Sequence, residues 1–485
     1  MDKVLRLFGL RYASAALVLV ALAALYGAAS LSRPGDRAGA AAEGVRAPVR
    51  SALSVCPGHE DGRLSVQSSP IRDAREKGGR ADVTPVGGAS PVGSVTALGQ
   101  GWSEDRPAAD GAYALRADGA FAAGLAAEQT THRPTGGDRG LAAIRCSAPG
   151  TDLWFVGPGP VAAENLDLYL TNVDSQPASV DVTALSGEGP LDTPDGRGTP
   201  VEPRTTKVVH IGASPEGLGD IVKTARDLAL RVHTTSGRVA ASLRVRTGEK
   251  KGIDWVPVSP VPATSLVVPG VPGGSGPRRL MVGVPGQDDA RVRVRVVTPS
   301  GSFAPHGQDV LDAPAGTVST IDLESALAGK SAAVRLTSDR PVVAGFAAER
   351  GADVAYGTAT APLGEAVLAD DRFDPWISLT APAGAADVAV TAIGGQGPGT
   401  PQRIRVPAGR TVETRVLAPR DGEKGFGAVV RTAPGSGPVY GARTLTKGKG
   451  DELLITVLPL VPAESTAWLP RLPTPRASWS PDHVP

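Results

Sequence analysis

The chain has 485 residues, of which 41% are hydrophobic and 20% charged, and its 50 basic and 49 acidic side chains give a net charge of +1. This length exceeds what one hydrophobic core normally serves, so several domains are expected. The even spread of charge excludes the basic stripe that nucleic-acid binding requires. The 61 glycines and 44 prolines in an apolar-rich chain favour many short strands joined by turns.

The N-terminus carries a targeting signal. Three basic side chains within residues 1–11 precede an uncharged, mostly apolar stretch at residues 12–32. About 20 apolar residues can cross a bilayer as a helix, and positive charge before the helix keeps the N-terminus in the cytoplasm. We therefore expect a single-pass protein of the cell membrane whose bulk is extracytoplasmic. The small residues at 27–29 also fit a signal-peptide cleavage site. The alternative is therefore a cleaved signal peptide and a secreted protein.

A linker and a degenerate first module follow. Residues 33–50 have a linker composition, and the module is predicted over residues 51–148, with a flexible, charged insertion at 66–95. Cys56 and Cys146 are the only cysteines, and such a pair in an exported chain predicts a disulfide. Closing a loop of about 90 residues would stabilise the fold by roughly 4–5 kcal/mol.

Three strand-and-turn patterns recur along the chain. In each of them apolar and polar residues alternate, which is typical of strands with one buried face. The first pattern reads as a hairpin and occurs at residues 113–128, 230–245, 334–349 and 429–445. The other two occur at residues 168–185, 279–297 and 376–393, and at residues 201–211, 311–323 and 405–417.

The spacing of these patterns predicts the fold class. A period of about 100 residues indicates whole domains rather than solenoid units. We predict an all-β protein of tandem immunoglobulin-like antiparallel β-sandwich modules after one N-terminal transmembrane helix. A β-propeller is the alternative, because repeated short strands fit both architectures. Further modules are predicted at residues 149–262, 263–362 and 363–470, and a disordered Pro-rich tail at 471–485.

The sequence contains no recognisable catalytic, cofactor or metal motif. The six histidines are scattered, and HExxH, GxSxG and P-loop patterns are absent. We therefore expect a non-enzymatic protein without cofactor. Acidic pairs at residues 288–289 and 370–371 suggest calcium, but DxD spacing does not recur, so solvated turns are expected. Trp102, in a predicted loop, is the best candidate for stacking on a sugar ring.

Two stretches carry a resemblance to a known family. SDRPVVAGF at residues 338–346 and PVPATSLVVPG at 260–270, together with the N-terminal anchor and the Pro/Gly-punctuated repeats, resemble an actinobacterial family known as domain of unknown function 5719. Its members are exported and membrane-associated, and the likeness covers most of the chain after the linker. The resemblance implies no activity, cofactor or catalytic residue.

These observations predict a membrane-anchored extracytoplasmic protein that scaffolds or binds cell-envelope components. Its expected partners are envelope proteins or glycans, and the membrane through the N-terminal helix. The alternative is a carbohydrate-binding protein that recognises wall or exopolysaccharide glycan, with Trp102 as the contact.

Overall fold

The computed structural model describes residues 19–26, 45–58, 62–105, 111–248, 252–422 and 425–469. Its contacts divide the chain into two units, and the larger one is Pro48–Thr466. In the smaller unit, residues 19–26 are helical, and strand β1 (Val45–Pro48) pairs with β37 (Thr466–Leu469).

The predicted membrane anchor falls mostly outside the described residues. This holds for most of segments 12–32 and 33–50 and for all of 1–11 and 471–485. Within the described part, no helix has both the length and the apolar character needed to cross a membrane.

The larger unit is all-β, as the sequence predicts. Its strands pair antiparallel, and one short α-helix, α1 (Glu324–Leu327), accompanies a few 3₁₀ turns. The described 3₁₀ turns are Gly119–Phe121, Pro194–Gly196, Pro215–Gly217, Gly219–Val222 and Gly450–Glu452. The strands form four consecutive sets, which we call modules 1 to 4, and each set forms two sheets.

Module 1 comprises eight strands in two sheets, of order β2-β7-β4-β5 and β6-β3-β8-β9. The strands are β2 (Ser51–Cys56), β3 (Arg63–Ser68), β4 (Ala81–Pro85), β5 (Gly93–Val95), β6 (Gln100–Asp105), β7 (Tyr113–Asp118), β8 (Leu125–Arg133) and β9 (Gly140–Arg145). The predicted flexible insertion at 66–95 is wrong, because β4 and β5 lie within it and Val83 and Val95 are buried in the core. Its surface charges concealed these two short apolar patterns.

Module 2 repeats this arrangement with orders β13-β12-β16-β10-β19, where β14 also pairs with β12, and β15-β11-β17-β18. The strands are β10 (Asp152–Pro158), β11 (Asn165–Asn172), β12 (Ala178–Leu185), β13 (Pro190–Leu191), β14 (Thr199–Val201), β15 (Thr205–His210), β16 (Asp227–Ser236), β17 (Ala240–Arg246), β18 (Ile253–Val256) and β19 (Val258–Ser259). Buried residues of both sheets form one core.

Module 3 joins its two sheets through one long strand. The strands are β20 (Ala263–Val271), β21 (Arg278–Gly283), β22 (Ala290–Thr298), β23 (Gly301–Phe303), β24 (Val310–Ala313), β25 (Val318–Asp322), β26 (Ala332–Arg350) and β27 (Asp353–Thr358). The first half of β26 pairs with β20 and β22, and its second half pairs with β21 and β27.

Module 4 has the orders β28-β34-β30-β31, where β32 also pairs with β30, and β33-β29-β35-β36. The strands are β28 (Glu365–Leu368), β29 (Asp374–Ala381), β30 (Ala386–Gly394), β31 (Gly397–Pro398), β32 (Gln402–Val406), β33 (Arg410–Arg415), β34 (Gly427–Thr432), β35 (Tyr440–Lys447) and β36 (Leu454–Pro459). The module has a core of its own.

The predicted hairpins are instead crossings between sheets. In module 2, β16 and β17 flank a turn at Gly237 (φ +69°), but they belong to different sheets and do not pair with each other. The strands of the other two repeated patterns cross in the same way. Alternation identifies a strand with one buried face, but it does not identify the neighbouring strand, which explains the error.

The four modules close into a ring. The last strand of the second sheet in each module (β9, β18, β27 and β36, here called the central strands) contacts the central strands of two other modules. Apolar clusters span the boundaries between modules 1 and 2, 2 and 3, 3 and 4, and 4 and 1. Module 4 therefore packs against module 1, and the ends of the repeat meet.

Candidate functional site

The central strands surround two buried carboxylates. Asp353 on β27 accepts hydrogen bonds at Oδ2 from the N–H groups of Leu141 (3.1 Å) and Ile455 (2.9 Å). Asp254 on β18 accepts at Oδ1 from the Ala143 N–H (3.3 Å) and the Thr456 hydroxyl (2.9 Å). Each carboxylate therefore joins modules 1 and 4 to its own module.

Burial makes these two groups poor acids. It raises the pKa of Asp353 to about 7, despite three backbone hydrogen bonds that act in the opposite direction. Burial also raises the pKa of Asp254 well above its ordinary value, and the nearby Asp353 carboxylate adds to the effect. The Oδ2 atom of Asp254 has no hydrogen-bond partner among the described residues. The carboxyl groups of Asp353 and Asp254 therefore stay protonated at pH values where exposed aspartates are ionised.

A cavity of about 430 Å³ lies at the C-terminal ends of the central strands. Its wall comes from all four modules, chiefly from residues 143–148, 255–260, 359–361 and 457–462. We call it the axial cavity. Most of these side chains are apolar or proline, and Arg145 is the one charged residue among them. A concave, mainly apolar space with few polar groups is the usual form of a small-molecule site.

The boundary between modules 4 and 1 contains a buried ionic network, here called the closing network. Arg443 donates to the Glu128 carboxylate (Nη2–Oε2, 2.6 Å) and to Asp371 (Nη1–Oδ1, 2.7 Å). Asp370 bonds to Arg372 (Nε–Oδ1, 2.9 Å) and to the Thr130 hydroxyl (2.6 Å). The prediction of a solvated turn at residues 370–371 is wrong, since both side chains are about 1% exposed.

The two aspartates of the closing network titrate differently. Burial raises the pKa of Asp371 to about 6, although Arg443 opposes the change. Burial also disfavours the charged form of Asp370, but the Arg372 guanidinium outweighs it and holds the pKa of that carboxyl below its ordinary value. Within the described part of the chain, no group of three or more His, Cys, Asp or Glu side chains is placed to hold a metal ion.

The predicted disulfide is present. Cys56 at the end of β2 and Cys146 just after β9 are bonded across 90 residues of sequence, and both are buried. Cys146 also lines the axial cavity, so the bond fixes part of its wall.

Trp102 lies on strand β6 rather than in the predicted loop, and it lines a cleft of about 180 Å³ between modules 1 and 4. We call this the Trp102 cleft. Its other lining residues include Arg63, Gln67, Gln100 and Asp370. Gly93 lies against the indole, since a Cβ atom there would be 2.2 Å from Cε2 of the ring. The structure does not bring Trp102 to the axial cavity, so the two spaces are separate sites.

Sequence reasoning missed the central acids and Arg443. Each central acid is the one charged residue in a mostly apolar strand, IDWV (β18) and DVAYGT (β27), whereas Arg443 shares YGARTLTK (β35) with Lys447. A charge in such a strand is a usable signal, because a buried charge needs a partner. The partners, however, come from other modules and have no fixed spacing in the sequence.

The profile of a family of unknown function, DUF5719, matches residues 102–417, which is more than half of the chain. No curated protein matches the sequence. A solved structure titled "Crystal structure of tetra-tandem repeat in extending region of large adhesion protein" aligns with 14% identity over 86% of this chain and 99% of that chain. Its TM-score is 0.07, so this likeness carries no argument about fold or function.

Proposed function

The chain belongs to DUF5719, a family of unknown function, and from its architecture we propose that it is a non-enzymatic extracytoplasmic protein that binds or scaffolds cell-envelope components. The observation that carries the proposal is a ring of four modules, the first of which contains a disulfide. Disulfides persist in oxidising compartments, which favours a location outside the cytoplasm. Buried boundaries hold the four modules together, and the loops of the ring present several surfaces to partners.

The membrane anchor and the module type are part of the same proposal. In this proposal residues 12–32 serve as a single-pass anchor in the cell membrane, and the bulk of the chain is extracytoplasmic. Each module is an immunoglobulin-like sandwich, for which the support is a pair of antiparallel sheets over a common core. Modules of this type serve as binding units in many proteins. The fold therefore supports a binding function by analogy.

Crosslinking in intact cells tests the proposal. The full-length protein is treated with an amine-reactive crosslinker, and partners are identified by mass spectrometry. A matched sample carries Arg443→Met, which opens the closing network and should reduce specific crosslinks. Failure to recover any reproducible envelope partner, together with an unchanged envelope in a deletion strain, would contradict the scaffold function.

A second function, glycan binding, is favoured by the Trp102 cleft. The cleft combines an aromatic ring, which can stack on a sugar ring, with arginine and glutamine side chains, which can hydrogen-bond to sugar hydroxyls. We propose Trp102 as the stacking residue. The test is co-sedimentation of the protein with isolated cell-wall material at moderate salt, before and after glycan digestion.

Two tryptophan variants sharpen that test. Trp102→Ala should abolish retention, whereas Trp376→Ala, which removes an indole 38% exposed elsewhere on module 4, should not. Equal retention of both variants and the unmodified protein would remove the glycan function from consideration. Retention that is lost in both variants would indicate non-specific adhesion through exposed aromatics.

A further inference from the structure

The axial cavity has the size and the wall of a ligand site. Its volume of about 430 Å³ lies within the range of roughly 300–1,000 Å³ that is typical of small-molecule pockets. Ile144, Trp255, Val258 and Leu458 contribute apolar side chains, and prolines stiffen the segments between them. An apolar group that enters such a space gains about 25 cal/mol per Å² of surface removed from water.

Part of the cavity wall consists of hydroxyl side chains that have no hydrogen-bond partner among the described residues. Ser259 and Thr360 line the cavity, each less than a tenth exposed, and their hydroxyl oxygens have no hydrogen-bond partner in the part of the chain that is described. Ser147 from module 1 also lines the cavity; the residue as a whole is only partly buried, but its hydroxyl oxygen is buried and has no described partner. Each of the three follows its central strand by two or three residues, so the hydroxyls come from equivalent positions in three modules. Buried hydroxyls without partners are uncommon and call for an explanation.

Arg145 contributes a positive charge that has no direct ion pair with a described carboxylate. Its Nη1 donates to the Val367 carbonyl at 2.8 Å, but no described carboxylate pairs with it. Its cross-strand neighbour Glu128 is already bonded to Arg443 and to the Asp370 N–H. Burial lowers the pKa of Arg145; the Glu128 carboxylate acts in the opposite direction but is not a directly paired counter-charge. An anion in the cavity would supply that counter-charge.

We propose that the axial cavity binds a small amphipathic carboxylate, with its apolar chain between the four modules and its carboxylate at Arg145. One guanidinium balances one negative charge and fits the fork of a carboxylate, which favours this head group over a dianionic phosphate. The three hydroxyls line the same cavity and offer hydrogen bonds to polar groups of the ligand. This ligand site goes beyond the proposed scaffold function and is independent of the Trp102 cleft.

Photoaffinity labelling of the full-length protein tests the proposal. The protein is kept in lipid nanodiscs where its apolar N-terminal segment requires lipid. One probe is a ten-carbon carboxylic acid with a diazirine in the chain, and the other is the corresponding neutral alcohol. Adducts are mapped by peptide mass spectrometry, with decanoate as competitor. The acid should label residues 255–260 and 457–462 at least tenfold more than the alcohol does, and decanoate should suppress this labelling.

Two variants separate the effect of the Arg145 charge from the effect of the cavity volume. Arg145→Met should reduce labelling by the acid to the level of the alcohol and leave labelling by the alcohol unchanged. Ala361→Trp, which fills the cavity from an exposed position, should reduce labelling by both probes at least tenfold. Arg340→Met and Ala418→Trp, at exposed positions elsewhere, are the matched controls.

The proposal is overturned if the acid and the alcohol label equally, or if adducts map outside the cavity and resist competition. It is also overturned if Ala361→Trp leaves labelling intact. Thermal unfolding of each variant shows whether loss of the Arg145–Val367 hydrogen bond unfolds Arg145→Met. If it does, Ala361→Trp and competition by decanoate still test the proposal.

Discussion

Arg443 on β35 and Glu128 on β8 form an ion pair with Nη2 2.6 Å from Oε2, although 315 residues separate them in the sequence. Both side chains are at most 1% exposed. The pair lies at the boundary between modules 4 and 1, where the two ends of the repeat meet. Arg443 also bonds to Asp371 and to the carbonyl of Asp370, so one guanidinium organises the closure of the ring.

Removal of this guanidinium should destabilise the whole ring. In Arg443→Met, the carboxylates of Glu128 and Asp371 stay buried without their partner, and such a loss typically costs about 3–5 kcal/mol. Urea unfolding followed by circular dichroism measures the change in the free energy of unfolding. Adding Glu128→Gln to this variant should recover part of the loss, because it removes one of the stranded charges.

Arg340→Met is the control for this prediction. Its ion pair with Asp288 is exposed, at 52% and 68% for the two side chains, so its removal should change the free energy of unfolding by less than about 1 kcal/mol. Equal effects of Arg443→Met and Arg340→Met would show that the closing network does not stabilise the ring.

The contact between modules 2 and 3 makes a second prediction, at Gly345 on β26. A Cβ atom there would lie 2.8 Å from the Gly357 carbonyl oxygen and 2.9 Å from that of Val156 in module 2. Both obstacles are backbone atoms, so Gly345→Ala should lower the free energy of unfolding by about 1–3 kcal/mol.

Gly364→Ala is the matched control, because no atom lies within 4 Å of the added methyl group. It should leave the free energy of unfolding unchanged or raise it by less than about 1 kcal/mol, because alanine gives the unfolded chain less conformational freedom than glycine does. Thermal unfolding of the two variants side by side makes the comparison. A neutral Gly345→Ala would mean that modules 2 and 3 are not held at this distance in solution.

The sequence predicts strands and a repeat but not the contacts between modules. Alternation along Leu228–Val232 identifies a strand with one buried face, whatever sheet receives it. The turn at Gly237 looks the same in a hairpin and in a crossing between sheets, so the pairing of strands was wrong. Closure of the ring depends on Arg443 and on residues hundreds of positions away, for which one sequence holds no pattern.

The candidate sites differ in how far the sequence reveals them. Trp102 is visible as an aromatic residue in a polar stretch, and it does line a cleft. Asp370 and Asp371 look like a solvated turn because their neighbours are polar, whereas the fold buries them against module 1. The axial cavity is lined mostly by apolar side chains from segments that lie far apart in the sequence, so no local pattern marks it.

The disulfide carries a third prediction. Replacement of both Cys56 and Cys146 by alanine opens a loop that spans 90 residues. In the chain-entropy model this change lowers the free energy of unfolding by about 4–5 kcal/mol, because the unfolded chain gains freedom. Urea unfolding under oxidising conditions measures the loss. Dithiothreitol should destabilise the unmodified protein and leave the double variant unaffected, and equal sensitivity of the two would contradict the assignment.

The central acids predict a pH dependence of stability. Because burial raises the pKa of Asp353 from 3.8 to about 7, the native state binds more protons than the unfolded state between these values. The free energy of unfolding therefore falls as pH rises through this window and levels off above the folded pKa. The difference between 3.8 and about 7 corresponds to about 4 kcal/mol for Asp353. Asp254, whose pKa is also raised, adds a contribution of the same sign.

Asp254→Asn isolates one of the two contributions. An amide oxygen can keep the bonds from Ala143 and Thr456, and the amide nitrogen takes the place of the Oδ2 atom that has no partner. The variant should match the unmodified protein near pH 4 and become the more stable of the two as the pH rises toward 8, because it has no Asp254 carboxyl group whose raised pKa makes the stability fall with pH. Asp288→Asn, at an exposed position, should follow the unmodified protein throughout. Parallel curves of unfolding free energy against pH for Asp254→Asn and the unmodified protein would mean that Asp254 titrates normally in the folded ring.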